Sequence, residues 1–374
     1  MRRARPAIRL WHRWFGLTTG LWLLLLALTG SAITWYDELD TALNPDLRRA
    51  PAAAPGTAVA EPVTAALAAA GAALPGFAAR HVDLPDRPGE SLWLIGSAEI
   101  DGARASVQAF AHPQTGALLG WRQSGVWSLD RRHIPDLLYG LHVDLLVAPW
   151  VTFLFGLVSL LWLIDHVLAG VLAVPRLARW REAFGVKGKA GSLRRLFDWH
   201  RAPGMWAWPV TAALALTGVT LAWPEISRDV VRTVAPVSDR LEYALPDRPV
   251  ATPAVSVEQA MARVATAPDQ IDSFRPLPDK GLWAIRTFDR RDLDYQGRQW
   301  TYVDMTDGRI VGRRHDRGEG PGDEFFAWQF ALHSGQAFGE VGRWLVFLGG
   351  LVTAALVWTG VDLWRRRLRV AGRG

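Results

Sequence analysis

Four long apolar runs punctuate this chain, near residues 14–36, 145–174, 204–224 and 343–363, with long polar stretches after the first and third. Crossing the hydrocarbon core of a bilayer takes about 20 apolar residues in a helix, so each run is long enough to span. Each carries tryptophan near an end, at Trp14 and Trp35, Trp150, Trp206 and Trp223, and Trp344 and Trp364, where an amphipathic ring rests at headgroup level. The first run ends in Trp35-Tyr36-Asp37 without a small-residue cleavage pattern and reads as a retained helix, not a signal peptide.

The pattern predicts an α-helical membrane bundle of four transmembrane helices with two external α+β domains. Its divisions are the N-terminus and first span (1–36), a domain (37–140), a second span (141–175), a loop (176–200), a third span (201–224), a second domain (225–330), a fourth span (331–364) and a tail (365–374). The first domain reads as a Pro/Ala-rich linker, a helix around 61–73, strands at 91–97 and 105–111, and a turn and strand over His112 to Gly120. The second repeats that plan, with a Pro-rich linker, a helix around 256–266, strands near 282–288 and 299–304, and a turn and strand over Asp304 to Gly312.

The halves align at several places, which predicts a tandem repeat of a helix–domain–helix unit. Trp11-His12-Arg13 matches Trp199-His200-Arg201; at the same offset Gly16 matches Gly204, Leu28-Thr29-Gly30 matches Leu216-Thr217-Gly218, and Trp35 matches Trp223. Farther on, Gly116 and Gly120 match Gly308 and Gly312, and Leu141-His142 matches Leu332-His333. Both copies run out and back in the same sense, so equivalent residues are expected to face each other at equal depth about an axis along the membrane normal.

Charge sets the expected orientation. The net charge is +6, but the basic residues cluster beside the apolar runs, at Arg2, Arg3, Arg5, Arg9 and Arg13, at Arg176, Arg179, Arg181, Lys187, Lys189, Arg194 and Arg195, and at Arg365, Arg366, Arg367 and Arg369. That is the positive-inside pattern, which puts both termini in the cytoplasm and argues against nucleic acid as partner. The chain has no cysteine among its 374 residues, which excludes disulfides, thiolate metal sites, iron–sulfur clusters and covalent c-type haem. Any metal group must be held by other side chains, and the nine histidines draw attention.

Four of them fall at repeat-matched positions on two levels: His12 and His200 open the first and third helices, and His142 and His333 precede the second and fourth. Neutral imidazole binds haem iron without adding charge to an apolar site, and two axial imidazoles favour electron transfer. Two b-type haems stacked across the bilayer are therefore expected, against the plainer role of interfacial or helix-capping histidines. His166, beside Asp165, lies 24 residues beyond His142, about 36 Å along one helix, and is an alternative ligand or the partner of Asp165 in a hydrogen-bonded pair. Gly16, Gly30, Gly156, Gly204, Gly218 and Gly350 lie where helices or a porphyrin approach closely, or serve ordinary small-residue packing. His81, His112, His133 and His315 are expected on solvated surfaces.

These motifs, with Trp14-Phe15-Gly16-Leu17 and Ser334-Gly335-Gln336-Ala337-Phe338-Gly339 beside them, resemble the PepSY-associated transmembrane family over nearly the whole chain; the elements ending at Gly120 and Gly312 look like the end of PepSY domains. The chain differs from the family pattern in carrying Asp165-His166 where an apolar helix end is expected. The resemblance implies a bacterial inner-membrane protein of iron acquisition, with FoxB-type and PiuB-like members, and an oxidoreductase that reduces a periplasmic ferric siderophore through haem held by His12, His142, His200 and His333. Reduction weakens a hard-oxygen chelator's hold on iron. Arg286, Arg290, Arg291, Arg313, Arg314 and Arg317 could attract the anionic chelate or form a solvated charged face.

The residues supply no internal electron donor site. Gly318-Glu319-Gly320-Pro321-Gly322 lacks the flanking strand and helix of a dinucleotide fold, so the expected donor is separate, either quinol or a cytoplasmic flavoprotein reductase. The rival expectation is a haem-free binding or regulatory protein whose domains inhibit a peptidase or sense a ligand. A transporter fits less well, with Asp165 as its one intramembrane acid.

Overall fold

The computed structural model describes residues 4–174, 177–187, 192–265, 267–318 and 320–371; Arg2, Arg3, Arg176, Lys189 and Glu319, named above, lie outside them. The helices in chain order are α1 (Arg5–Thr18), α2 (Gly20–Ile33), α3 (Tyr36–Leu43), α4 (Pro45–Arg48), α5 (Pro62–Ala73), α6 (Ile134–Val143), α7 (Pro149–Ala173), α8 (Ser192–Ala222), α9 (Pro224–Arg232), α10 (Leu241–Ala244), α11 (Val257–Val264), α12 (Pro321–Ser334) and α13 (Gly339–Ala371). The strands are β1 (Ala78–Asp83), β2 (Leu92–Ile100), β3 (Ala103–Ala111), β4 (Leu118–Gln123), β5 (Ile271–Leu277), β6 (Leu282–Thr287), β7 (Gln299–Asp304) and β8 (Ile310–His315). The chain divides into a helical unit, residues 1–35, 138–230 and 328–374, and a sheet unit, residues 36–137 and 231–327.

In the helical unit, α7, α8 and α13 are each long and apolar enough to cross a membrane, and α1 and α2 pass the same test together across a 60° bend. Only 33%, 22% and 22% of the most apolar stretches of α7, α8 and α13 are buried. Large side chains such as Leu21, Trp150, Phe153, Trp206 and Trp358 point outward, and a contiguous apolar surface of this kind calls for hydrocarbon as solvent. The chain is a membrane protein.

The expected continuous helix from 141 to 175 is corrected by the backbone. Leu145 and Leu146 take left-handed φ values of 61° and 56°, costly for a residue with a side chain, and Leu146 folds over the open face of Gly140. α6 therefore ends at Val143, and α7 restarts with Pro149 in its first turn, where a missing N–H costs nothing. A break also separates α12 from α13, with Gly335 at φ 80° and Gly339 at φ 58°. His142 and His333 thus close short helices, and the run along one helix from His142 to His166 does not exist.

The two small domains expected from sequence are one body. Two four-stranded meanders join edge to edge through β1 and β5, with Val82 opposite Phe274 and Asp83 opposite Ser273, in the order β4-β3-β2-β1-β5-β6-β7-β8. Alternation along β2 sends Leu92, Leu94 and Ala98 to one face, where they share a core with Val63, Ala66 and Ala70 of α5, Val257 and Ala260 of α11, and Phe274, Ile285 and Val303. The halves also cap each other. Glu258 accepts the backbone N–H groups of Val63 and Thr64 at 2.7 and 2.8 Å at the start of α5, satisfying donors that a helix N-terminus leaves open, while Glu61 accepts the Ser256 hydroxyl at 2.7 Å.

Carboxylates gather where β1 meets β5. Loss of hydration, then the neighbouring Asp272, Glu90, Asp83 and Asp37, push the Asp86 carboxyl up to about 7; burial likewise raises that of Asp272. Because Asp86 is exposed, solvent screens its share, and the buried Asp272 carries the firmer shift. A carboxyl raised in the folded state adds stability below the ordinary carboxylate value near 4 and loses it as pH rises through the folded value. Asp130 and Asp289, held at about 2 by hydrogen bonds from Ser128 and Arg291, act only below that window. The sheet unit should therefore unfold at lower temperature at pH 8 than at pH 5, with Asp86→Asn narrowing the gap; thermal unfolding at the two pH values measures it, and a sheet more stable at pH 8 would contradict the assignment.

Candidate functional site

The four repeat-matched histidines form two pairs inside the helical unit. The rings of His12 on α1 and His200 on α8 have centroids 6.1 Å apart with planes at 63°. Those of His142 on α6 and His333 on α12 are 6.1 Å apart at 55°. A metal ion about 2 Å from one nitrogen of each ring leaves ring centres about 6 Å apart, so both separations suit one metal between two imidazoles.

Which nitrogen is available follows from the partners. The Thr29 hydroxyl donates its proton to Leu25 O at 2.7 Å and so accepts Nδ1–H of His142 at 3.1 Å. Thr217 donates to Ala213 O at 2.8 Å and accepts from His333 Nδ1 at 2.8 Å. Thr359 donates to Ala355 O at 2.7 Å and accepts from His200 Nδ1 at 3.0 Å. His12 Nδ1 meets the carboxylate of Asp165 at 2.8 Å. All four rings are fixed through Nδ1 in the tautomer that leaves the Nε2 lone pair free, as metal-binding histidines require.

Glycine beside threonine makes room for the ring. A Cβ on Gly30 would sit 2.8 Å from His142 Cε1, too close for a carbon contact, and one on Gly360 3.2 Å from His200 Cε1, whereas at Gly218 the tight neighbour is Ser159 Oγ at 2.8 Å and His333 Cε1 lies at an ordinary 3.9 Å. The sequence marks Gly30 and Gly218 as places of close approach and Thr29-Gly30 and Thr217-Gly218 as repeated, but the threonines as histidine partners, and the Thr359-Gly360 pair, emerge only in the structure. The recurring Thr-Gly in three apolar runs was the available signal.

His166 stands apart from these pairs. Its ring is buried between Trp162 O and the Thr211 hydroxyl, both at 2.9 Å, so each nitrogen has a protein partner and the ring ties α7 to α8. Of the two roles open to His166, the hydrogen bond to Asp165 does not form, because the Asp165 carboxylate is turned to His12. Arg201 of the Trp-His-Arg motif bonds the buried Asp198 at 2.9 Å, fixing the turn that carries His200. Of the other glycines singled out, Gly350 packs on Ala27 and Ser31, Gly156 on Trp223 and Gly204 on Leu356, while Gly16 has open space.

Two histidines per level are too few for a bare metal ion, and no group of three or more His, Asp or Glu arranged for a metal occurs among the described residues. A porphyrin supplies four equatorial nitrogens and needs only two axial ones. An apolar groove of about 530 Å³ between α8 and α13 is walled by Leu196, Trp199, Pro203, Leu351 and Thr359, the last of them the partner of His200. The donor set therefore fits a haem better than any free cation.

The expected arginine face is largely built into the sheet unit. Arg286 is buried, donating to Gly297 O at 2.7 Å with its guanidinium over the Trp300 ring, so it cannot meet a ligand in solvent. Arg314 bonds Ser238, Asp316 and Asp323, Arg291 pairs with Asp289 and Arg317 with Glu324. Arg290 and Arg313 are exposed. Two histidines expected in solvent are instead buried: His112 donates from Nε2 to Pro51 O and accepts at Nδ1 from Gln114 N–H, and His315 meets Asp292 at 2.9 Å. No curated protein matches this chain. The model of the PepSY-associated TM region matches residues 9–367, and the protein belongs to that family.

Proposed function

We propose that the chain crosses the bacterial inner membrane four times, with α1 and α2 together as one span, in two copies of a span–sheet–span repeat with both termini cytoplasmic. It holds two b-type haems, one between His12 and His200 and one between His142 and His333, and carries electrons outward to a ferric siderophore in the periplasm, releasing iron. The observation that carries this reading is that all four histidines are paired at one ring-centre spacing of 6.1 Å and held through Nδ1, which leaves each Nε2 without a hydrogen bond to its Thr or Asp support. A haem held by these histidines would supply reversible one-electron chemistry.

The chain's own residues do the rest. Thr29, Thr217, Thr359 and Asp165 fix the ligand rings in plane and tautomer, so little reorganisation accompanies a change of charge. Phe15, Leu23 and Val158, packed with Leu26, Leu161 and Trp162, exclude water from the stretch of α1 and α2 between His12 and Thr29. Along α8, His200 and Thr217 are 17 residues apart, about 25 Å of helix, which separates the two levels. The exposed Arg290 and Arg313 attract an anionic chelate, and reducing its iron weakens oxygen ligation.

Liposomes carrying the haem-loaded protein, with a membrane-impermeant reductant inside and a ferric hydroxamate plus a ferrous-iron trap outside, test the reading. Ferrous iron should appear outside much faster than with empty liposomes. Equal rates would remove the reductase assignment and leave the sheet unit as a binding or regulatory module.

A further inference from the structure

Three of the four ligand rings rest on a Thr-Gly pair, and one does not. His142 sits on Thr29-Gly30, His333 on Thr217-Gly218 and His200 on Thr359-Gly360. His12 is held by Asp165, with 3.1 and 2.8 Å from Nδ1 to the two carboxylate oxygens. In the chain Asp165-His166-Val167 stands on α7 as Thr359-Gly360-Val361 stands on α13. One ring has a carboxylate acceptor where the other three have a hydroxyl, and Asp165 is buried, its side chain only 6% exposed.

The difference has an electronic consequence. A threonine oxygen whose own proton is committed to a backbone carbonyl is a weak acceptor. A carboxylate is a strong one; it draws the Nδ1 proton and raises electron density on Nε2 of the same ring, making it a better donor to a metal ion. A stronger axial donor favours the oxidised metal over the reduced one and lowers the reduction potential. The negative charge, desolvated in the helix packing, acts in the same direction because interactions there are weakly screened.

We propose that Asp165 makes the His12–His200 site the low-potential end of a two-site relay, so that electrons run from it to the His142–His333 site and not back. The inference rests on the haem reading above and adds a direction to it. Each transfer moves one electron: the inner site is oxidised by one, the outer site is reduced by one, and no proton need cross between them. A reduced carrier of the quinol or flavin class restores the inner site. Asp165 acts through His12 and is a positioning residue; it does not touch the metal.

The test is a spectroelectrochemical titration of the purified full-length protein, wild type and Asp165→Asn, with haem per chain measured on both. The wild type should give two separable midpoints. D165N should move the lower one upward, toward the other, and leave the higher one in place. A D165N profile superimposable on a two-haem wild type overturns the inference while leaving the haem reading intact; a haem-free wild type overturns both. If D165N fails to retain the inner haem, Asp165→Glu decides: a low midpoint preserved with the carboxylate supports the proposal, and a midpoint that rises despite it overturns it. Thr359→Val, which alters the neutral support of the same pair, should not raise the lower midpoint as D165N does.

Discussion

Replacing His333 by alanine is expected to halve the haem content, from about two to about one per chain, because a haem that needs both imidazoles of the pair would lose one of them. His142 loses its partner at 6.1 Å, while the His12–His200 pair lies about 25 Å away along α8 and shares no ligand with it. Effects at sites so far apart are independent, so the remaining haem should keep its spectrum. Thr217→Val leaves His333 in place and removes only the acceptor that orients it; weakening of haem retention by about 10–100-fold is expected, the usual cost of losing an outer partner of a ligating histidine. Pyridine-haemochrome quantification of the variants reads both effects. A His333→Ala protein with unchanged haem would show that the outer pair is interfacial.

The second large effect belongs to the sheet unit. Arg122 and Asp40 form an ion pair with side chains 1% and 0% exposed, the guanidinium reaching both carboxylate oxygens at 2.6 and 2.9 Å as well as Gln108 Oε1. Asp40→Ala leaves a desolvated guanidinium without its counter-charge, a loss of about 3–5 kcal/mol. Asp46→Ala removes a carboxylate shared by the more exposed Arg131 and Arg132 and should cost about 0–1 kcal/mol. Hydrogen exchange on the full chain separates the two: protection of β3 and β4 should collapse in D40A and persist in D46A. Equal protection in both would show that the Arg122 network does not hold that end of the sheet.

Much of this architecture was legible before any coordinates. The helix around 61–73 is α5, and the strands placed at 91–97, 105–111, 282–288 and 299–304 are β2, β3, β6 and β7, because their alternation and flanking turns are strong. What escaped were β1 and β5, the strands that fuse two domains into one sheet. β1 offers Val82 as its one buried side chain, and β5 is interrupted by Arg275 and Pro276. Their pairing depends on each other, and neither strand's own pattern reports it.

The pairings of His12 with His200 and of His142 with His333 could be read from the recurrence of Trp-His-Arg and Leu-His in the two halves of the chain. Their supports could not, since a threonine in an apolar helix usually just bonds the carbonyl one turn back, as Thr29, Thr217 and Thr359 also do. The arginines misled for the opposite reason: charge in a sequence suggests a surface, yet Arg286 lies against Trp300 inside the sheet unit.

The most direct measurement is the absorption spectrum of the purified wild-type protein, oxidised and dithionite-reduced, with haem counted per chain. Sharp low-spin b-type bands at about two haems per chain are expected from two bis-histidine sites. A protein produced with haem supplied and yet free of it would contradict the electron-transfer reading outright.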